Sequence, residues 1–387
     1  MKINRKTWLQ VISTIIIRTV YTTGFRMVFP YQPIFMKELG IDLRQMTRMY
    51  AGRSLVGVFS PFLASIADTK GRKTGMLAGM VVFSLGTLGV VIWPTLGGFF
   101  LFLVFSLLGK AIFDPAMQAY FGDTIPYNRR GLVLGITEIS WSLAFFLGVP
   151  VVGFLMNQYG LLSPFLVLSV LSMLLILAAV YIIPPDTLST RQPSSTLKNF
   201  GKVFSSGSAM AGLGAMLWIS LGNQLVNVVF GVWLNDSFSF QIAALGSVSA
   251  VIGIAELIGE GGVSIVSDRI SPQKAVMAGL IGSVLSSAAL PFLGGTVLGA
   301  YLGLFAYYLM FEFTIVSGLP LMTQVLPETR ATLMALNIAS ISLGRVLGSL
   351  IAAPLYAGGF GIIALVAAVG NLLAIFSLRF VVVKEDH

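Results

Sequence analysis

The chain has 387 residues, of which 56% are hydrophobic and only 10% carry a charge. Soluble domains carry about 25% charged residues, so this chain has too little polar surface to cover a water-soluble globule. The composition therefore predicts an integral membrane protein. The formal net charge is +9. A net positive charge of this size would suggest a nucleic-acid partner in a soluble protein. We expect no nucleic-acid partner here, because the basic residues are concentrated in the loops between apolar segments.

Residues that commonly support metal and redox chemistry are nearly absent from the sequence. Cysteine is missing, which excludes disulfides, thiol chemistry and cysteine-ligated metals, and the single histidine is His387. No G-x-x-x-x-G-K-[ST] nucleotide-binding loop occurs. We therefore expect no metal, no cofactor and no enzymatic activity. Any active transport must draw its energy from an ion gradient or from the gradient of the substrate itself.

Apolar runs of about 20 residues recur along the chain and do not alternate as barrel strands would. They predict twelve membrane-spanning helices, numbered here as spans 1 to 12, at residues 8–34, 45–67, 75–93, 97–121, 131–155, 162–183, 209–234, 241–266, 275–293, 297–324, 332–356 and 361–380. If the N-terminus is inside, the inner segments hold sixteen Lys and Arg residues and the outer loops three. This bias predicts a multi-pass protein of the cell inner (plasma) membrane, embedded in the lipid bilayer, with both termini in the cytoplasm.

A polar stretch rich in Pro and Ser divides the spans into two sets of six. The expected domains are an N-terminal bundle, a cytoplasmic linker and a C-terminal bundle, at residues 1–183, 184–208 and 209–387. Two pairs of landmarks repeat 200 residues apart, namely Asp68 with Asp268 and Arg130 with Arg330. The chain therefore looks like a duplicated six-helix unit, which transporters use to build a site at the membrane midplane.

The stretch ADTKGRK, between spans 2 and 3, resembles the loop signature Gly-x-x-x-Asp-(Arg/Lys)-x-Gly-Arg-(Arg/Lys) of the major facilitator superfamily. Ala64 and Thr69 depart from that signature. The residues that match it are Asp68, Gly71, Arg72 and Lys73. A second copy of the signature is reduced to Asp268 and Arg269, and Asp123 of span 4 is expected to pair with Arg72. The resemblance implies an all-α fold of twelve helices in two pseudo-symmetric six-helix bundles, usually monomeric. It also implies that this cluster closes the inner side, although the same charges could serve membrane topology alone.

Charged residues occur inside several spans, but not in the apolar cores of spans 3, 6, 9 and 12, which form the outer support in that fold. Glu256 and Glu260 share one face of span 8, where neighbouring like charges favour binding of a proton. Lys110 and Asp114 lie four residues apart and could form an ion pair. The candidates for proton coupling are Glu312, Glu256, Glu260, Glu138 and Asp114. The candidates for lining a substrate cavity are Arg18, Arg26, Lys110, Asn223, Asn227, Arg345 and Trp141. A purely structural role is the alternative for each of them.

The favoured interpretation is a secondary active transporter that moves a small molecule by alternating access, through proton-coupled export of a lipophilic or cationic compound. Two further features resemble the drug:proton antiporter-like branch of the family: GVPVVG in span 5, near its Gly-Pro motif, and Lys110, near its span 4 arginine. One alternative is uptake or exchange of an anionic metabolite bound by Arg18, Arg26 and Arg345. Another is a transport-inactive sensor or scaffold with the same fold.

Overall fold

The computed structural model describes residues 5–59, 71–184, 196–266 and 270–382. Within these ranges the chain forms helices and turns, without a β-strand. The first two ranges contain α1 (Arg5–Arg26), α2 (Gln32–Leu39), α3 (Leu43–Val58), α4 (Arg72–Ile92), α5 (Leu96–Thr124), α6 (Tyr127–Leu143), a π-helical segment (Ala144–Gly148), α7 (Val149–Tyr159) and α8 (Ser163–Ile182). The last two contain α9 (Thr196–Ser205), α10 (Gly207–Asn227), α11 (Phe230–Phe238), α12 (Ile242–Val266), α13 (Pro272–Leu293), α14 (Val297–Val325), a 3₁₀ turn (Pro327–Thr329), α15 (Arg330–Tyr356) and α16 (Phe360–Leu378).

Ten helical stretches of the described chain are long and apolar enough to cross a membrane. They correspond to predicted spans 3 to 12, so the protein is a multi-pass helical membrane protein. Span 1 differs from the prediction, because α1 ends at Arg26 and a turn separates it from α2. Pro30 and Pro33 lie at that break, and proline has no amide hydrogen with which to continue a helix. In span 2, α3 ends at Val58 and residues 60–70 lie outside the described ranges.

The described residues form two compact units. The first contains those within residues 1–39, 62–191 and 241–253, and the second those within residues 40–61, 192–240 and 254–387. Helix α3 thus belongs to the second unit, and the first half of α12 belongs to the first. The bundles expected at residues 1–183 and 209–387 stay a prediction.

In the first unit, α4 and α5 pack with their backbones nearly in contact. A Cβ atom at Gly79 would lie 2.6 Å from the carbonyl oxygen of Gly109, and a Cβ atom at Gly109 would lie 2.7 Å from that of Gly79. Glycine allows this approach because it has no side chain, as is typical of helix contacts in membranes. Next to this contact, the ring of Tyr21 in α1 stacks on Phe83 in α4 at 4.3 Å between centroids. The core of the unit is therefore fixed close to the charged side chains of α1.

In the second unit, glycines again bring helix backbones together. A Cβ atom at Gly344 of α15 would lie 3.1 Å from the amide nitrogen of Leu221 in α10. A Cβ atom at Gly370 of α16 would lie 3.3 Å from the carbonyl oxygen of Trp218, also in α10. Helix α10 is consequently packed on two sides, and its polar residues face protein rather than lipid.

Candidate functional site

Four of the predicted embedded charges form one network around Arg18 of α1. Arg18 Nε lies 3.1 Å from Asp114 Oδ1 of α5, and Arg18 Nη2 lies 2.8 Å from Glu138 Oε2 of α6. The second oxygen of Asp114 lies 2.6 Å from Lys110 Nζ, one helical turn earlier. Arg18 Nη1 also donates a hydrogen bond to the carbonyl oxygen of Thr137 at 2.9 Å. The structure thus contains the expected Lys110–Asp114 ion pair and joins it to two further charges.

The two bases and two acids of this network balance one another when all four are ionised. Such balance matters because an unpaired charge is costly in a medium of low dielectric constant. The members are not equally buried: the side chain of Arg18 is 6% exposed, whereas that of Glu138 is 38% exposed. Glu138 is therefore the more exposed of the two acids in this network.

A second cluster lies two helical turns along α1, where Arg26 contacts two aromatic rings. Its guanidinium carbon lies 4.3 Å from the ring centroid of Trp141 and 3.5 Å from that of Phe145. Arg26 Nη1 also donates to the carbonyl oxygen of Trp141 at 3.0 Å. Lys110 Nζ lies 5.5 Å from the centroid of the same Trp141 ring. Trp141 therefore joins the charge network to the aromatic rings that contact the guanidinium group of Arg26.

The local sequence explains why these side chains meet. Arg18, Thr22 and Arg26 recur every four residues and so lie along one face of α1. After Leu143, the helix that carries Glu138 and Trp141 changes to a π-helical segment, which presents Phe145 to Arg26. Segments of this kind are frequent at functional sites.

The GVPVVG stretch of span 5 begins at the end of that π-helical segment. Pro150 follows directly after the π-helical segment of a continuous helix, and its missing amide hydrogen leaves an upstream carbonyl oxygen without its usual helical partner. Gly148 lies against the side chain of Thr23, and Gly153 lies against the hydroxyl group of Tyr31, leaving no room for a Cβ atom at either position. These two glycines therefore bring span 5 close to the end of α1 and the turn that follows it.

Three predicted proton-coupling residues lie on two neighbouring helices of the second unit. Glu256 and Glu312 are 1% and 5% exposed, and Glu260 is half-buried. Helices α12 and α14 approach closely at Gly259, where a Cβ atom would lie 3.2 Å from Glu312 Cβ. Glu312 therefore lies against the helix that carries the other two acids.

Of the predicted polar residues of α10, Asn223 is buried and Asn227 is half-buried in the same unit, and the neighbouring Gln224 is also buried. Asn227 Oδ1 accepts a hydrogen bond from the Tyr308 hydroxyl at 2.7 Å, and Gln224 Nε2 donates to Ser349 Oγ at 2.9 Å. Asn223 is 6% exposed. The two bonds fix one face of α10 against its neighbours.

Arg345 of α15, which is half-buried, repels a buried arginine of α3, Arg53, electrostatically. Arg53 is 2% exposed, and its guanidinium carbon lies 5.4 Å from the ring centroid of Tyr50. The sequence places Arg53 in the membrane, but it does not indicate that a helix of the first half would bring it near Arg345.

At the opposite end of the first unit lie the described residues of the loop signature. Gly71 has φ +96°, a conformation that favours glycine, and α4 begins directly after it. Arg72 Nε lies 3.3 Å from Asp123 Oδ2, which is the pairing expected from the sequence. Lys73 Nζ donates to the carbonyl oxygen of Val180 at 2.6 Å. The other members, Asp68, Asp268 and Arg269, lie outside the described residues.

Several aromatic residues of the site were not singled out from the sequence. Phe145, Tyr307 and Tyr308 belong to this group, because aromatic residues in apolar helices usually serve packing or interface belts. The signal that could have found the tyrosines is their position on α14, within five residues of Glu312. Among the described residues, no three His, Cys, Asp or Glu side chains group as ligands of a metal ion would.

Comparison with known proteins places these features in a family. The sequence profile of the Major Facilitator Superfamily matches residues 14–311. The chain is 25% identical over 343 residues to the uncharacterized MFS-type transporter YceJ of Bacillus subtilis (strain 168), covering 87% of this chain and 86% of that protein. It is 28% identical over 288 residues to the multidrug resistance protein MdtG of Klebsiella pneumoniae (strain 342), covering 68% and 67%.

Solved structures with the same fold include transporters of different substrates. The nucleoside transporter NupG superposes with a TM-score of 0.77 at 16% identity, covering 97% of this chain and 99% of that chain. A D-xylose-proton symporter superposes with a TM-score of 0.75 at 15% identity and the same coverage. At these identities the superpositions show the fold alone.

Proposed function

Because this chain belongs to the Major Facilitator Superfamily and is a transporter rather than an enzyme, we propose that it exports lipophilic or cationic small molecules in exchange for protons. The observation that carries the proposal is the charge-balanced network of Arg18, Lys110, Asp114 and Glu138, which adjoins the aromatic surface of Trp141. The likeness to a multidrug resistance protein supports the substrate class.

Charge balance gives this network a mechanism for exchange. When Glu138 binds a proton, the network keeps two bases and one acid, and its net charge becomes positive. A positive site repels a cationic compound held at Trp141, whose ring face attracts cations. When Glu138 releases the proton, neutrality returns and a cation can bind again. The proton and the substrate thus compete for one site, as antiport requires.

The acids of the second unit are proposed as further proton carriers. Glu256 and Glu312 are buried, and Glu260 lies one turn beyond Glu256. Ionisable residues inside the membrane are expensive and usually functional, and neighbouring carboxylates favour retention of a proton. We therefore assign Glu312 and Glu256 the same kind of role as Glu138.

The loop signature is proposed to close the inner side of the path during each cycle. The Arg72–Asp123 ion pair supports this role, because it ties the start of α4 to the end of α5. We further propose that the protein works as a monomer in the cell inner membrane, with both termini in the cytoplasm. The loop charges support this orientation.

The direct test uses the purified full chain in proteoliposomes. A pH gradient is imposed, and transport of lipophilic cationic dyes is compared with that of neutral and anionic compounds. We expect dye movement driven by the gradient, and its loss in Glu138→Gln, Glu312→Gln or Glu256→Gln. The matched control is Glu38→Gln, because Glu38 is exposed on α2, away from these clusters. Unchanged gradient-driven transport in all three carboxyl variants would contradict proton coupling at these residues.

A second candidate function is uptake or exchange of an anionic metabolite. The nearness of Arg53 and Arg345 favours it, because two arginines within electrostatic reach can share one anion. Gradient-driven movement of anionic but not cationic compounds, abolished by Arg345→Gln, would select this function. Binding of either class without any flux would instead identify a transport-inactive sensor or scaffold.

A further inference from the structure

Helix α12 rests on span 5 through two glycines of one helix face. Gly246 and Gly253 lie seven residues, or two turns, apart. A Cβ atom at Gly253 would lie 2.8 Å from the Cα atom of Phe146, in the π-helical segment. A Cβ atom at Gly246 would lie 2.9 Å from the Tyr31 hydroxyl oxygen and 3.6 Å from the Cα atom of Pro150. No side chain larger than hydrogen fits at either position without a shift of its neighbours.

Tyr31 supplies a polar side-chain group at this contact. Its side chain is fully buried, and its hydroxyl donates a hydrogen bond to the carbonyl oxygen of Val149 at 2.8 Å. The hydroxyl is therefore held by a hydrogen bond to span 5, and Gly246 of α12 lies next to it. Gly153 leaves room for the same hydroxyl from the other side. Tyr31 is thus held between two glycines, one on each helix.

The contact lies at the membrane face opposite the Arg72–Asp123 ion pair. Asp123 is near the end of α5, where span 5 is about to start, whereas Gly153 is near the end of span 5. Tyr31 follows α1, and Gly246 lies near the start of α12. In the orientation proposed above, Gly153, Tyr31 and Gly246 lie on the outer side and Asp123 lies on the inner side, whereas Gly253 and Phe146 lie near the middle of their helices.

We propose that Gly246 and Gly253 form a seat that closes the outer side of the transport path, and that the Tyr31 hydroxyl sets how closely α12 can approach. The proposal rests on alternating access, the mechanism proposed above. A glycine seat fits this role because neither glycine has a side-chain hydrogen bond to break when the helices part. The surfaces gain close van der Waals contact when seated and lose only that contact when they separate.

The experiment measures the distance between spin labels on the two helices by pulsed electron paramagnetic resonance. The chain contains no cysteine, so Gln158→Cys on α7 and Gln241→Cys before α12 supply the only label sites, both exposed. In reconstituted protein without substrate, we expect a short distance for the seated state. Gly253→Ala and Gly246→Ala should each raise the ratio of separated to seated protein, by about fivefold or more, because the added methyl group overlaps its neighbour.

Two further variants test the contact itself. Gly261→Ala is the matched control, because Gly261 lies on the same helix with no atom near its Cβ position. It should leave the distance distribution unchanged. Tyr31→Phe removes the oxygen that Gly246→Ala would meet, so Gly246→Ala combined with Tyr31→Phe should return towards the seated distribution. This rescue separates the seat from a general loss of folding, which a second substitution would not repair.

Three results would overturn the proposal: an unchanged distribution in Gly246→Ala, an equal shift in Gly261→Ala, or no rescue by Tyr31→Phe. Because the distances are recorded without substrate or pH gradient, they do not depend on what is transported. Failure of proton-driven export with an intact Gly246–Tyr31 rescue would reject the proposed exchange and retain the seat.

Discussion

Asp114 binds a different base with each of its carboxylate oxygens. Arg18 Nε contacts one oxygen and Lys110 Nζ contacts the other, while Glu138 pairs with Arg18. Removing the charge of Asp114 therefore leaves two bases with one acid. Removing Lys110 as well leaves Arg18 paired with Glu138, and the charges balance again. The network thus allows a test of charge balance in which one substitution compensates another.

We predict that Asp114→Asn lowers the free energy of unfolding by about 3 kcal/mol, because it leaves an uncompensated buried positive charge. Adding Lys110→Met to this variant should restore much of the loss. The measurement is unfolding of purified protein in mixed detergent, with Glu38→Gln as a control for an exposed carboxylate. A double variant less stable than Asp114→Asn alone would contradict the balance described here.

The sequence predicts this network only in part. The Lys110–Asp114 pair follows from a spacing of four residues on a helix, and the common face of Arg18 and Arg26 follows in the same way. The link from Arg18 to Glu138 depends on how three helices pack, and no local spacing encodes it. Phe145 is missed for a further reason, since its position depends on the π-helical segment rather than on regular α-helical geometry.

At the scale of the helix, the tightest packing in the first unit occurs where Gly79 of α4 meets Gly109 of α5. Each glycine accommodates the backbone of the other helix, and a methyl group at either position would overlap it. Gly89 lies further along α4 with no atom within 4 Å of its Cβ position. Position 79 therefore has no room for a side chain, whereas position 89 on the same helix does.

We predict that Gly79→Ala destabilises the protein by about 2 kcal/mol, because α4 and α5 must move apart. Gly89→Ala should be neutral or stabilising by up to about 1 kcal/mol, because alanine has the higher helix propensity. Thermal unfolding of both variants in the same detergent measures the difference. Equal effects of the two substitutions would show that helix propensity, and not the contact, decides stability here.

Elements are predicted well where hydropathy alone decides them. Spans 3 to 12 are confirmed because about 20 apolar residues in lipid can satisfy their backbone groups only as a helix. Span 1 is predicted too long because the apolar residues beyond Arg26 raise the hydropathy, although Pro30 and Pro33 interrupt the hydrogen bonding of the helix. Backbone chemistry, which a hydropathy window ignores, decides the end of that helix.

At the scale of the whole molecule, the basic residues determine which side of the membrane each loop occupies. The turn before α5 is short and uncharged, whereas the first turn of α6 carries Arg129, which is exposed. Positive loops are retained in the cytoplasm during insertion. The absence of native cysteine makes this orientation directly measurable with single introduced cysteines.

We predict that Pro94→Cys reacts with a membrane-impermeant maleimide in intact cells, whereas Arg129→Cys reacts only after the cells are permeabilised. Pro94 is exposed in the turn between α4 and α5, and is therefore a matched site on the other face. The cysteine-free parent controls for background labelling. The reverse labelling pattern would place the termini outside and contradict the proposed orientation.

The π-helical segment divides span 5 into two parts. Because this segment holds one extra residue in its turn, it sets how far one part is rotated about the helix axis relative to the other. If Ala144–Gly148 changed to α-helical geometry, one residue would pass into the next turn, and the part beyond it would rotate by about 100°. Phe145, which contacts Arg26, and Val149, which accepts the Tyr31 hydrogen bond, could then not both keep their partners. A change of a single residue in winding would thus exchange one attachment of the helix for the other without breaking the helix.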